Sequence, residues 1–290
     1  MDSFFLIDKP AGITSFWVLS ELRKKLGIKK IGHTGTLDPL ATGCLLVATG
    51  NYTKLIPYFE KDTKEYECTI LLDGVSDSYD IDTPVTHISD SQKKSFSKSI
   101  SRENIQKILE KHFTGEIEQI PPAYSALKIG GKKAVDLVRA WREVIMKPRR
   151  TTIHEIEILD YSYPRLTLRC LVSVGTYIRS IAKDLWDILE TGGYIETLRR
   201  TKIGKICLKE AITLEKFSST SRLDEGYLFG KERFCVVEDL EILSRLSNGQ
   251  RIKWDFPFPE WKDIFIMGSD MIQYIVRYQD GVLSSVRKIF

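Results

Sequence analysis

Apolar residues fall along this chain in two rhythms, short runs and helical stripes, and together they predict an alternating α/β chain. Phe4-Phe5-Leu6-Ile7 is a short run that predicts a strand, ended by the turn residues Lys9-Pro10-Ala11-Gly12. Val18, Leu19, Leu22 and Leu26 then recur at helical spacing. That helix is expected to start at a Thr14 or Ser15 cap and stop at Gly27, with Arg23, Lys24 and Lys25 in its last turns. Cys44 to Ala48 is apolar throughout, as in a buried strand, and a short helix is expected near residues 53–59. Tyr66, Cys68, Ile70 and Leu72 alternate with other positions, which predicts a strand with one buried face. Residues 86–101, rich in Ser and Lys, read as an exposed connection, and Ile105, Ile108, Leu109 and Phe113 then mark a helix before Gly115. Residues 151–161 and 166–174 alternate as an antiparallel pair of strands, and Ile178, Ile181, Ala182 and Leu185 form the inward stripe of another helix. Beyond Leu246-Ser247-Asn248-Gly249, an irregular Pro/Trp stretch at 254–261 precedes strand-like residues 264–266 and 272–278.

Composition narrows the class. At 290 residues and 42% hydrophobic, the chain is expected to bury a substantial core and a small second module. Its five cysteines and four histidines show no ligand spacing, so neither zinc nor a disulfide framework is indicated. The apolar start is too short for a leader and no run is long enough to span a membrane, so a soluble, cytoplasmic protein is expected. The net charge of +4 says little, but its distribution says more. Between Leu127 and Arg150 lie Lys128, Lys132, Lys133, Arg139, Arg142, Lys147, Arg149 and Arg150, against only Asp136 and Glu143. This local excess is larger than the charge of the whole chain and is interleaved with Trp141, next to Tyr124, which favours a phosphate-tracking surface over a merely solvated face.

The candidate chemistry centres on Gly32-His33-Thr34-Gly35-Thr36-Leu37-Asp38-Pro39-Leu40-Ala41-Thr42-Gly43. Pro39 fixes its own φ and pushes Asp38 toward an extended conformation, so the carboxylate is held from both sides. An Asp before Pro is also an ordinary turn former that bonds nearby backbone N–H groups. The segment is much longer than a four-residue turn, however, and runs directly into a buried strand, which favours a rigid loop presenting a carboxylate.

GHTGTLDPLATG closely resembles the signature loop of the tRNA pseudouridine synthase B (TruB) family, whose members isomerise the T-loop uridine at tRNA position 55. The resemblance implies that Asp38 is the catalytic residue and that His33 belongs to the substrate-binding site. The Lys-x-Tyr entering the strand at Tyr66 is similar to the family's, whose tyrosine stacks on the target base. Gly175-Thr176-Tyr177-Ile178-Arg179-Ser180 is a second match, implying that Arg179 pairs with the aspartate and that Tyr177 contacts the base. Leu198-Arg199-Arg200 resembles the segment near the uracil, and Lys9-Pro10 the pair beneath the active site, although Lys9 also fits a solvated turn. Pro121 to Lys128 with Gly130-Gly131-Lys132-Lys133 resembles an RNA-gripping arm, which implies RNA contacts from Lys128, Lys132, Lys133, Arg149 and Arg150. The family carries an acidic turn like Asp73, Asp77, Asp80 and Asp82, and here the spacing lacks the glycine and terminal glutamate of a calcium loop.

The resemblance covers roughly residues 4–215. It implies the α/β (α+β) pseudouridine-synthase fold, with a mixed, largely antiparallel central sheet flanked by helices. Expected units are a catalytic domain over residues 1–238 and a short PUA-like β module over 239–290. The expected partner is tRNA through its T arm and T loop, acted on by a monomer without cofactor or metal. Two rival readings are a non-catalytic tRNA-binding or folding protein of the same architecture, and an acid/base hydrolase using His33 with Asp38. Both Asp38 and Arg179 are present, which weighs against the first, and no Ser or Cys nucleophile motif accompanies them, which weighs against the second.

Overall fold

The structure, a computed structural model, describes residues 1–58, 63–254, 263–268 and 271–290. Most of the Pro/Trp stretch at 254–261, and Phe59 at the end of the expected short helix, lie outside the described residues.

Strand β1 (Ser3–Lys9) leads into helix α1 (Ser15–Leu26). Of the two cap candidates, Thr14 caps it: its hydroxyl accepts the Trp17 N–H at 3.0 Å, and Gly27 ends the helix in the left-handed conformation. Strand β2 (Ile31–His33), the loop after it, and β3 (Thr42–Thr49) follow, then a 3₁₀ helix (Gly50–Tyr58) and β4 (Thr63–Leu71). The acidic turn lies between and beside the short strands β5 (Gly74–Val75) and β6 (Thr86–His87). Helix α2 (Asp90–Ser99) corrects the expected connection. The Ser/Lys-rich composition hid a helix with no buried residue, whose only local signal is the capping box of Ser89 and Gln92.

Helix α3 (Arg102–His112) buries Ile105 and Leu109 and hands over to β7 (Gly115–Gln119). Next come the hairpin strands β8 (Lys128–Ile129) and β9 (Lys132–Lys133), helix α4 (Ala134–Arg139), and the long antiparallel pair β10 (Arg149–Ser162) and β11 (Arg165–Ser173). Helix α5 (Ile178–Leu189), β12 (Tyr194–Ile203) and β13 (Ile206–Cys207) complete this part. After helix α6 (Glu225–Phe229) come β14 (Phe234–Val236), α7 (Leu240–Ser247), β15 (Ile252–Lys253), β16 (Asp263–Gly268), β17 (Met271–Gln279) and β18 (Val282–Lys288).

Among the described residues, a nine-stranded sheet runs β1-β3-β12-β4-β11-β10-β7, with β2 added on β3 and β13 on β12. All its pairings are antiparallel except β12 with β3, so the sheet is mixed and largely antiparallel. A second, five-stranded sheet runs β14-β16-β17-β18-β15, and its first strand lies ahead of the boundary expected after residue 238.

The pleat explains why the middles of β1 and β3 are continuously apolar. Phe5, Ile7, Leu45 and Val47 face one core with α1, α3 and α5. The alternate residues Phe4, Leu6, Cys44, Leu46 and Ala48 face a second core, which Phe265, Ile272, Ile275 and Ile289 of the C-terminal module complete. The module therefore covers one face of the sheet that carries the loop at Asp38. Ile275→Ala should cost about 2–5 kcal/mol and shift a single calorimetric transition of the whole chain. A separate low-temperature transition with an unmoved main peak would show that the module is uncoupled.

Candidate active site

The loop from Thr34 to Ala41 is fixed by contacts with Lys9, Gly12, Ser15, Leu46 and Arg200. The Ser15 hydroxyl, at the start of α1, donates to the Leu37 carbonyl at 3.0 Å and accepts the Leu37 N–H at 2.8 Å. The Gly12 N–H donates to the Pro39 carbonyl, and the Thr34 N–H to the Leu46 carbonyl of β3. Arg200, fully buried in β12, donates Nη2 to Gly35 O at 3.0 Å and Nε to Cys44 O at 2.7 Å. Lys9 is no solvated turn residue: it is fully buried, and its Nζ donates to the carbonyls of Ile13 at 2.6 Å, Pro10 at 2.9 Å and Pro39 at 3.2 Å. Burial pulls the Lys9 ammonium down to about 8, against the charges of Asp38 and Asp82. At the end of the loop Gly43 has φ +98°, and a Cβ there would stand 2.2 Å from Arg200 O, so only glycine lets β12 close on β3.

Asp38 closes a turn with its backbone and not, as a turn-forming aspartate would, with its side chain. Its carbonyl accepts the Ala41 N–H at 3.1 Å, closing a turn, while its side chain points to Arg179. Arg179 Nε lies 3.0 Å from Asp38 Oδ2. Arg179 belongs to the first turn of α5, where an arginine is ordinarily exposed, yet only 3% of its side chain is. Its other donors are committed. Nη1 donates to Ser78 O at 2.9 Å and lies 3.4 Å from Asp80 Oδ2, and Nη2 donates to Tyr124 O at 2.9 Å. Asp80 is itself buried and is held by the Ser78 hydroxyl and the Asp82 N–H.

An open cleft of about 340 Å³ lies above this pair, lined by Asp38, Arg179, Tyr66, Tyr177, Leu198 and Lys64 among others. The structure thus brings together five of the six residues expected to bind or act on substrate. His33, the last residue of β2, is half-buried and is not among the residues lining the cleft; its Nδ1 accepts the Gly35 N–H at 3.2 Å. Burial, with Arg200 and Lys64 nearby, holds its imidazole below the ordinary value. Asp80 was not among the expected site residues. The acidic turn was visible, but nothing in its spacing says which carboxylate folds back against an arginine a hundred residues away.

Recession into the cleft raises the Asp38 carboxyl above its ordinary 3.8, with Arg179 opposing the shift and Asp80 adding to it. The basic arm is laid out beyond the cleft mouth. Gly130 and Gly131, both with positive φ, turn the β8–β9 hairpin and set Lys128 directly opposite Lys133. Lys128, Lys132, Lys133, Arg149 and Arg150 are all exposed, and Arg150 is already paired with Glu116 at 3.2 Å.

A charge-paired carboxylate in a cleft walled by two tyrosines and a leucine suits an enzyme that grips a flat ring and acts on its attachment. A family model described as the TruB family pseudouridylate synthase N-terminal domain matches residues 23–178. The chain is 42% identical over 217 residues to the tRNA pseudouridine synthase B of Bacteroides fragilis (73% of this chain, 90% of that one). It is 44% identical over 223 residues to that of Endomicrobium trichonymphae (77% and 94%), and 34% over 258 residues to that of Aquifex aeolicus (87% and 87%). In fold it is similar to a chain of a Cbf5-Nop10-Gar1 complex, with a TM-score of 0.66 at 21% identity over 99% of this chain and 85% of that one. The chain belongs to the TruB family of pseudouridylate synthases.

Carbon-13 titration of the Asp38 carboxyl should give a midpoint above 3.8, and a higher one in Arg179→Gln, because the opposing charge is gone. A wild-type midpoint below 3.8 would mean that Arg179 outweighs burial.

Proposed function

We propose that this protein isomerises the T-loop uridine of tRNA, position 55, to pseudouridine, with Asp38 as the catalytic carboxylate. The observation that carries this reading is the Asp38–Arg179 contact of 3.0 Å at the floor of the tyrosine-lined cleft.

The net reaction breaks the N1–C1′ glycosidic bond, turns the uracil and joins its C5 to the same ribose carbon. The C5 proton leaves and N1 gains one, so no electron or phosphoryl group is exchanged. Such chemistry needs an ionised carboxylate beside the nucleoside, walls that retain the detached base, and exclusion of competing water. Arg179 supports the first by charge pairing with Asp38. Tyr66, which is 7% exposed, supports the second as a stacking surface, with Tyr177 and Leu198 closing the sides.

The target base must leave the loop stack to enter the cleft, at a cost of about a few kcal/mol. RNA contacts offset that cost. Lys128 and Lys133 stand opposite each other in the hairpin, a like-charge pair whose repulsion a polyanion lowers. Lys132 and Arg149 extend the same surface, and Arg150 joins it by exchanging Glu116 for phosphate. His33 serves at the entry to the loop, by holding the Gly35 N–H and meeting RNA at its edge. The C-terminal module over residues 239–290 adds binding surface to the catalytic part over 1–238, and a monomer acting on cytoplasmic tRNA is the working form. No helix among the described residues is long and apolar enough to cross a membrane.

Incubation with an unmodified tRNA transcript, followed by positional mapping of pseudouridine, should give a single modified site in the T loop. Modification elsewhere only, or none, would reject the assignment. At Tyr66, replacement by Phe should be milder than replacement by Leu, since Phe keeps the ring. Equal and complete loss in both would point instead to a chemical role for the hydroxyl.

A further inference from the structure

The arm carries one large apolar group that its cations do not account for. Helix α4 ends in a Schellman turn, in which the Trp141 N–H donates to the Val138 carbonyl at 2.9 Å and the Arg142 N–H to the Leu137 carbonyl at 3.0 Å. That motif holds the residue after the helix cap in the left-handed conformation, a place ordinarily filled by glycine, and here Trp141 takes it at φ +56°. A bulky side chain accepts such a backbone only at a cost in stability, and packing does not offset it, because Trp141 is 97% exposed. Its neighbours define the ligand. Arg139, Arg142 and Lys147 are exposed and make no ion pair among the described residues, and only Asp136 and Glu143 oppose them in this segment. The loop after Trp141 also returns to the catalytic cleft, since Leu127 lines both that cleft and a groove of about 230 Å³ shared with Ile145, Met146 and Lys147. A solvated indole among unpaired cations, beside a cleft for a nucleotide, fits a flat ring flanked by phosphates.

We propose that Trp141 is a stacking platform for one unpaired base of the RNA other than the target uridine, with Arg139 and Arg142 meeting the phosphates beside it. This inference rests on the uridine-isomerising reading above and adds to it a second aromatic contact, outside the cleft that holds Tyr66. The two kinds of contact discriminate differently. Cations on the arm bind the backbone of stem and loop alike, whereas a ring needs a base that is free of its own stack. The platform therefore favours a loop over a duplex while tolerating any base, because every base has a face to offer. It also gives a reason for tryptophan at a position where glycine would suit the turn better: the side chain serves a partner and not the fold.

The test combines fluorescence with affinity on the full chain. Emission spectra of the wild type and Trp141→Phe isolate the signal of residue 141 among the five tryptophans. That signal should be quenched by an unmodified tRNA transcript and left unquenched by heparin, a polyanion that occupies the cations but has no bases. Quenching by both, or by neither, refutes the platform, and the second result leaves the indole to a protein partner. Trp141→Gly should bind the transcript about tenfold more weakly, at an unchanged slope of log affinity on log salt because no charge is removed. It should unfold no earlier than the wild type, because glycine suits the turn. Trp141→Phe keeps a ring and should bind between the two. Undiminished affinity in Trp141→Gly, or a loss accompanied by earlier unfolding, overturns the proposal. Pseudouridine mapped in the wild-type samples separates it from the reading on which it rests. Product without selective quenching refutes the platform alone, whereas selective quenching without product refutes the isomerase reading and leaves an RNA-base platform.

Discussion

The buried guanidinium of Arg179 is the constraint on which the rest of the site depends. A cation with 3% exposure must be neutralised and hydrogen-bonded in place, because an uncompensated charge at that depth is strongly destabilising. Three separate segments answer that demand around α5: Asp38 from the loop, Ser78 and Asp80 from the acidic turn, and Tyr124 from the start of the arm. The arginine therefore assembles the cleft as well as polarising it. Asp38 is the more exposed end of this ion pair, at 32%, so its carboxylate has a face to offer a substrate.

Rigidity beneath the network comes from the sheet. Strands β1 and β3 are buried on both faces, one by the helices and the other by the C-terminal module, and the loop is tied to both strands through Lys9, Arg200 and Gly43. The module thus reaches the site indirectly, through the packing of Phe265, Ile272, Ile275 and Ile289 against the back of the strands that bracket Asp38. An account that treats it only as added RNA-binding surface omits this mechanical part.

What could be read from the chain followed from periodicity and from contiguous motifs. The buried run at Cys44, the one-sided alternation at Tyr66 and the stripe at Ile178 all returned as the expected elements. Asp38, Tyr66, Tyr177, Arg179 and Leu198 meet at one cleft although they come from four distant segments, and only the family resemblance linked them beforehand. Helix α2 was missed because none of its residues is fully buried and only Phe96 packs, half-buried, against the core, too little for hydrophobic spacing to register an apolar face. For Lys9 the local context favoured a solvated turn and the family resemblance a place beneath the site; its burial agrees with the second, and its ammonium is satisfied by three carbonyls that only the folded loop brings together. The pairing of Asp80 with Arg179 is likewise a long-range feature, with no local signature in sequence.

The central claim is that Asp38 does chemistry rather than merely closing a turn against Arg179. Its most direct test is single-turnover conversion of a tRNA substrate by Asp38→Asn at saturating protein, with RNA affinity and thermal unfolding measured alongside. The amide keeps the shape and the backbone turn but removes the ionisable oxygen. The expected result is near-native affinity and folding with no pseudouridine formed. Turnover at a rate comparable to the wild type would contradict the claim and reduce Asp38 to a structural partner of Arg179.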